Sequence, residues 1–197
     1  DNNTLRIEDV TVDSCFIKRF SNNGNLFISS IKSAQNNCTL YIQRSNLKSA
    51  EIYDIDFNSF EKIVLIDSNI QDIIPSNIIW SSRIDTDVQE SRYSYLREAY
   101  RQLKNLMIKY HDKPEELKFY SLEMNSYHSQ LKQEKKHFDE KFILWTNKVS
   151  NNHGFSWSRA FSLIVCLTIL FYYTEKILIG YTHLDHPLLQ LTRALLY

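Results

Sequence analysis

The chain has little that bends or interrupts a backbone. Three glycines and three prolines among 197 residues stand against average usage near 7% and 5%, which excludes long flexible or proline-rich linkers. The cysteines Cys15, Cys38 and Cys166 are odd in number and lack metal-type spacing, so neither a disulfide framework nor a zinc site is expected. Charge of either sign is not in excess: 23 Lys plus Arg balance 23 Asp plus Glu, and no net field draws in nucleic acid or an acidic substrate. Glycine-rich phosphate loops, nucleophile elbows and paired-carboxylate motifs are missing as well, and with them the usual signatures of an enzyme. The expectation is a protein without catalytic activity, cofactor, metal or nucleic-acid partner. His183-Leu184-Asp185-His186 comes nearest to a ligand cluster, but such residues also suit a loop beside a membrane helix. The start at Asp1, without methionine or a secretory leader, reads as part of a longer protein.

What the chain does have changes character along its length. From Leu5 to about Trp80 it is rich in Ile, Leu, Phe, Asn and Ser, with short apolar runs and no sustained helical period, a pattern that favours strands. Four stretches share an apolar cluster, a serine, one further residue and another apolar residue. They are Val12-Asp13-Ser14-Cys15-Phe16, Ile28-Ser29-Ser30-Ile31, Ile42-Gln43-Arg44-Ser45-Asn46-Leu47 and Ile66-Asp67-Ser68-Asn69-Ile70. Their spacing of roughly 15 to 23 residues matches one coil of a β-solenoid, in which stacked neighbours bury what a single coil cannot. Small polar residues would make the corners. An ordinary antiparallel sheet is the alternative.

After Trp80 the pattern turns helical. Thr86-Asp87-Val88-Gln89 has the form of a capping box. Leu96, Ala99, Tyr100, Leu103, Leu106, Met107 and Tyr110 then recur at three- and four-residue steps, which predicts an amphipathic helix ending near His111. Asp112-Lys113-Pro114-Glu115 offers a second cap. The helix that follows should bury Leu117, Tyr120, Leu122, Met124, Tyr127 and Leu131, and so short a link implies an antiparallel hairpin.

Tyr100-Arg101-Gln102-Leu103-Lys104, Phe119-Tyr120-Ser121-Leu122-Glu123-Met124, then Leu144-Trp145, Gly154, Trp157, Arg159 and Ala160 follow one another in order. This order, from about Arg92 to Tyr173, resembles the part after the repeats in bacterial pentapeptide-repeat membrane proteins. The resemblance implies a membrane-attached β-helix protein and carries over no catalytic residue. The regular five-residue alanine-aspartate/asparagine-leucine pattern of that family is not present in the first third.

From Ala160 to Thr174 no residue is charged. At about 1.5 Å per residue this run alone is shorter than a hydrocarbon core near 30 Å; Ile177 to Tyr181 extends it beyond Glu175 and Lys176. Trp145, Phe155, Trp157 and Arg159 before the run, with Tyr172, Tyr173 and Lys176 at its end, suit the two membrane interfaces. Phe138, Phe142, Leu144 and Trp145 predict a helix lying on the membrane surface. Lys141, Lys148 and Arg159 against Lys176 and Arg193 place the near side in the cytoplasm. A buried core helix of a soluble protein is the competing reading.

The sequence therefore predicts an α+β chain. A degenerate β-solenoid-like region occupies residues 1–82, a helical hairpin 86–136 and an interfacial amphipathic segment 137–158. A transmembrane helix follows at 159–181, and 182–197 form an amphipathic tail or the start of a second membrane helix. The expected role is a membrane-anchored scaffold or sensor in the bacterial inner membrane, whose partners are the lipid bilayer and another protein, with self-association open. The alternatives are the cytoplasmic regulatory part of a channel or transporter, and a soluble partner-binding domain.

Overall fold

The structure, a computed structural model, describes residues 3–34, 38–133 and 138–182. Its first part is built from short strands: β1 Thr4–Glu8, β2 Thr11–Val12, β3 Ser14–Lys18, β4 Asn25–Ser29, β5 Lys32–Ser33 and β6 Thr39–Gln43, then β7 Glu51–Asp56, β8 Lys62–Ile66, β9 Ile74–Ile79 and β10 Ile84–Asp85. Every pairing among them is parallel, in the orders β1-β4-β7-β9, β3-β6-β8-β10 and β2-β5. This is a β-solenoid of about three turns. The coil step on the first face is 21, 24 and 23 residues, from Thr4 to Asn25, Phe27 to Glu51 and Glu51 to Ile74. On the second it is 25, 23 and 21, from Ser14 to Thr39, Thr39 to Lys62 and Ile63 to Ile84.

The repeat works through its corners. Ser45 and Ser68 stack in successive coils, the Ser45 N–H donating to Ser68 Oγ at 3.1 Å, and each hydroxyl donates to a carbonyl two residues earlier. Asn22, Asn46 and Asn69 each accept at Oδ1 from the N–H two residues on, which closes the corner as an Asx turn. Two further columns turn in the left-handed region: Asp9, Ser30, Asp54 and Asn77 on one edge, and Arg19, Arg44 and Asp67 on another, all at φ near +50°. Strand register puts the members of each column above one another. A chain so short of glycine makes these turns with residues whose side chains bond locally or reach solvent. Asn77 Nδ2, for example, donates to Asp54 Oδ1 at 2.6 Å.

Ile42–Leu47 and Ile66–Ile70 are coil equivalents, as their spacing suggests, whereas Ile28–Ile31 stacks on Ile7–Val10 and Val12–Phe16 on the segment around β5 and β6. The second coil thus presents the serine-apolar pattern at two corners, and the sequence period is shorter than the true one. Inside, Leu26, Ile28, Leu40, Ile42, Ile52, Ile63 and Leu65 are buried, and what the solenoid encloses near Leu40, Leu47 and Ile70 is an apolar space of about 50 Å³. Gly24 is required: a Cβ there would lie 2.3 Å from the Asn3 carbonyl oxygen.

Helices α1 (Arg92–Lys109) and α2 (Lys113–Gln133) follow. The expected capping box at Thr86 is not formed. Thr86 is buried and its Oγ1 accepts from the Val88 N–H, Asp87 is drawn to Lys62 at 2.6 Å, and α1 begins at Arg92 with no side-chain cap. Leu96, Ala99, Tyr100, Leu103, Leu106 and Met107 are buried against the last coil. The second cap is formed: Asp112 Oδ1 accepts from the Glu115 N–H at 3.3 Å. The helices pack antiparallel, as the pairs Arg97 with Tyr127, Arg101 with Glu123 and Lys104 with Tyr120 show. The buried face of α2 shares only Leu131 with the aromatic and aliphatic face expected. Phe119, Ser121, Glu123, Ser126, His128 and Leu131 are buried; Leu117, Leu122, Met124 and Tyr127 are half-buried, and Tyr120 is exposed. The reason lies on α1, where Arg101 at 3.3 Å and Lys104 at 2.7 Å neutralise the Glu123 carboxylate.

Candidate membrane-anchoring surface

Helix α3 (Phe138–Asn151) and helix α4 (Trp157–Thr182) are joined by a tight turn. Asn152, His153 and Gly154 are all left-handed, at φ of 51°, 56° and 86°. The turn is held by the His153 N–H to the Asn147 carbonyl at 3.1 Å, the Ser156 N–H to the Asn151 carbonyl at 2.9 Å, and the Gly154 N–H to Asn151 Oδ1 at 2.9 Å. These bonds satisfy groups that a helix end leaves open. Tyr127 Oη donates to Glu140 Oε2 at 2.5 Å and ties α2 to α3.

Trp157–Leu178 is the one described helix segment long and apolar enough to cross a bilayer, with a mean hydropathy of 1.6. Its 22 residues at about 1.5 Å each span roughly 33 Å, more than a hydrocarbon core of about 30 Å. None of it is buried against the rest of the chain, so it is not a core helix of the described fold. The hydroxyls are satisfied within the helix itself: Ser162 donates to the Ser158 carbonyl, Thr168 to Ile164 and Thr174 to Phe171, all at 2.8 to 2.9 Å. A helix without water around it requires this of its polar side chains.

The residues expected at the two interfaces lie at opposite ends of this surface. Trp145 stands half-exposed on α3 beside Phe142, Phe155 is exposed in the turn, and Trp157, 80% exposed, opens α4 two residues before Arg159. Tyr172 and Tyr173 meet edge to face at 5.7 Å, and Lys176 lies 5.1 Å from the Tyr172 ring. From Trp157 to Lys176 the helix rises about 28 Å. Leu144 is corrected: it is 8% exposed and packs inward. Its place in the apolar stripe is taken by Val149, eleven residues after Phe138, which helical spacing makes recognisable. The tail from residue 183, with His183, Asp185, His186 and Arg193, lies outside the described residues.

Two histidines near the turn are buried and not anticipated from the sequence. His153 is 5% exposed with Nε2 unpartnered, and His128 on α2 is 6% exposed. Burial holds both imidazoles below their ordinary range, helped by Lys132 and Lys148 at His128, and by Lys148 and His128 at His153. Among the described residues no group of three or more His, Cys, Asp or Glu is placed to hold a metal ion.

The architecture is thus a β-solenoid, closed at its last coil by a helical hairpin and followed by a long exposed apolar helix. No family model matches the chain, nor does any curated protein or solved structure.

Proposed function

We propose that this chain is a non-catalytic, membrane-anchored scaffold or sensor module, with α4 crossing the bilayer and the solenoid presenting a protein-binding surface in the cytoplasm. The observation that carries this reading is the apolar, wholly unburied Trp157–Leu178 helix. In the first coil β1 and β3 each pair on one side only, and Leu5, Ile7, Phe16, Ile17 and Phe20 line an open, mostly apolar groove of about 230 Å³, a surface that a further strand, of this chain or of a protein partner, would cover.

The order of parts also supports kinship with bacterial pentapeptide-repeat membrane proteins, in the inner membrane. Coil steps that vary from 21 to 25 residues depart from a strict five-residue repeat, and on this reading the solenoid is a degenerate form of it. Glu175 and Lys176, continuous with α4, favour as a second reading the regulatory part of a channel, because ionisable groups in an apolar helix often mark a pathway.

Sidedness tests the proposal. A single cysteine at exposed Ser49, in a chain whose native cysteines are replaced, should react with an impermeant maleimide in inside-out vesicles and not in right-side-out ones. The reverse pattern would contradict a cytoplasmic solenoid.

A further inference from the structure

We infer that α3 lies in the plane of the membrane surface and docks there on anionic lipid headgroups, an assignment that rests on α4 being the anchor. Phe138, Phe142, Trp145 and Val149 follow one another at steps of four, three and four residues. At about 100° per residue they fall within an arc of roughly 60°. All four are exposed, Phe138 at 79%, while Leu144 on another side is buried. A stripe of this kind turned away from its own protein needs a cover. What covers it is indicated by continuity: the hydrogen-bonded turn leads in six residues from the end of α3 to Trp157, where the apolar surface of α4 begins, with exposed Phe155 between them.

The charges on α3 are sorted about this stripe. Lys141 and Lys148, seven residues apart, share the flank on the Trp145 side; Asp139 lies on the Phe142 side as far from the stripe as Lys148, and Glu140 lies on the opposite face. Glu140 is engaged by Tyr127 on α2. Lysines beside an apolar stripe let their stems lie along hydrocarbon while the ammonium groups reach headgroup phosphates. Arg159 in the first turn of α4 adds a third cation on the same side of the bilayer. A stripe resting about 5 to 10 Å deep with cations at its edge fits an anionic surface, each lysine there being worth about a fivefold shift.

The test reconstitutes the full chain in vesicles of phosphatidylcholine, with or without phosphatidylglycerol, containing lipids brominated at shallow or deep positions. In a Trp157→Phe variant the remaining tryptophans are Trp145 and Trp80, the latter stacked on Phe57 within the solenoid. Trp145 should be quenched by shallow bromines more than by deep ones. Lys148→Gln should lower the docked-to-undocked ratio about fivefold in anionic vesicles and leave it unchanged in neutral ones. Quenching that ignores lipid charge would overturn the headgroup assignment. If Trp145 escapes quenching while Trp157 is quenched in a Trp145→Phe variant, α3 stands off the membrane and the anchor survives. If neither is quenched, the anchoring reading fails with it.

Discussion

Gln102 Oε1 accepts the backbone N–H of Ile70 at 3.0 Å, and in doing so takes the place of a coil. One and two coils earlier the equivalent N–H groups, of Leu47 and Asn22, donate to the carbonyls of Asn69 and Asn46 in the next coil. Ile70 has no further coil to pair with, and α1 supplies a side chain. Tyr110 Oη does the same in the opposite sense, donating to the Ile73 carbonyl at 3.2 Å. The helical hairpin is therefore the end cap that a solenoid needs.

Gln102→Leu should destabilise the fold by about 1 to 3 kcal/mol, because it leaves a part-buried donor without an acceptor. Gln102→Glu keeps an acceptor and should cost less. Denaturant titration of the two variants checks the order; equal midpoints would remove the capping role.

The Glu123 carboxylate is 4% exposed as a residue and is held by Lys104 and Arg101. Both cations reach solvent, so each keeps part of its hydration if the carboxylate is lost. Glu123→Ala should cost about 1 to 3 kcal/mol, below the loss expected for a fully buried pair. A double-mutant cycle with Lys104→Met should show coupling, and strict additivity would contradict the pairing.

Much of this was legible in the sequence, and the failures have specific causes. The serine corners at Ser45 and Ser68 were visible because a corner needs a small side chain that can bond its own backbone. The spacing of the serine stretches understates the coil because Ile28–Ile31 belongs to another corner of the same coil as Ile42–Leu47. Glu123 was invisible as a core residue because what makes its burial tolerable sits on α1. Thr86 has the chemistry of a helix cap, but Lys62 at 2.6 Å and Arg92 at 2.9 Å claim the neighbouring Asp87 and Asp85, and the local turn wins. The apolar helix was plain from composition, which a bilayer reads directly; its continuation through Glu175 and Lys176 was harder, since only the whole helix shows both charges at one end.

Corner geometry makes its own prediction. Arg44 sits at φ 49°, which costs a side-chain-bearing residue about 1 to 2 kcal/mol. Arg44→Gly should be neutral or stabilising by up to about 1 kcal/mol, after the entropy that glycine loses. Arg44→Val, with a branched Cβ in that region, should be clearly destabilised. A thermal melt that ranks valine with glycine would contradict the assignment.

Acid should loosen the junction of α2, α3 and the turn. His128 and His153 favour the neutral form in the fold, so their contribution is present above the unfolded imidazole value near 6.5 and is lost as pH falls towards the depressed folded values. Amide exchange around Lys148 to Ser156, corrected for intrinsic rates, should accelerate below about pH 6.5. The double variant His128→Gln, His153→Gln should lose that dependence, and an unchanged profile in the double variant would contradict this account.

The most direct test of the central claim is carbonate extraction of membranes carrying the full chain, beside a version ending at Arg159. The account predicts that the full chain stays in the washed membrane pellet and the shortened one is released. Release of both would show that α4 does not cross the bilayer.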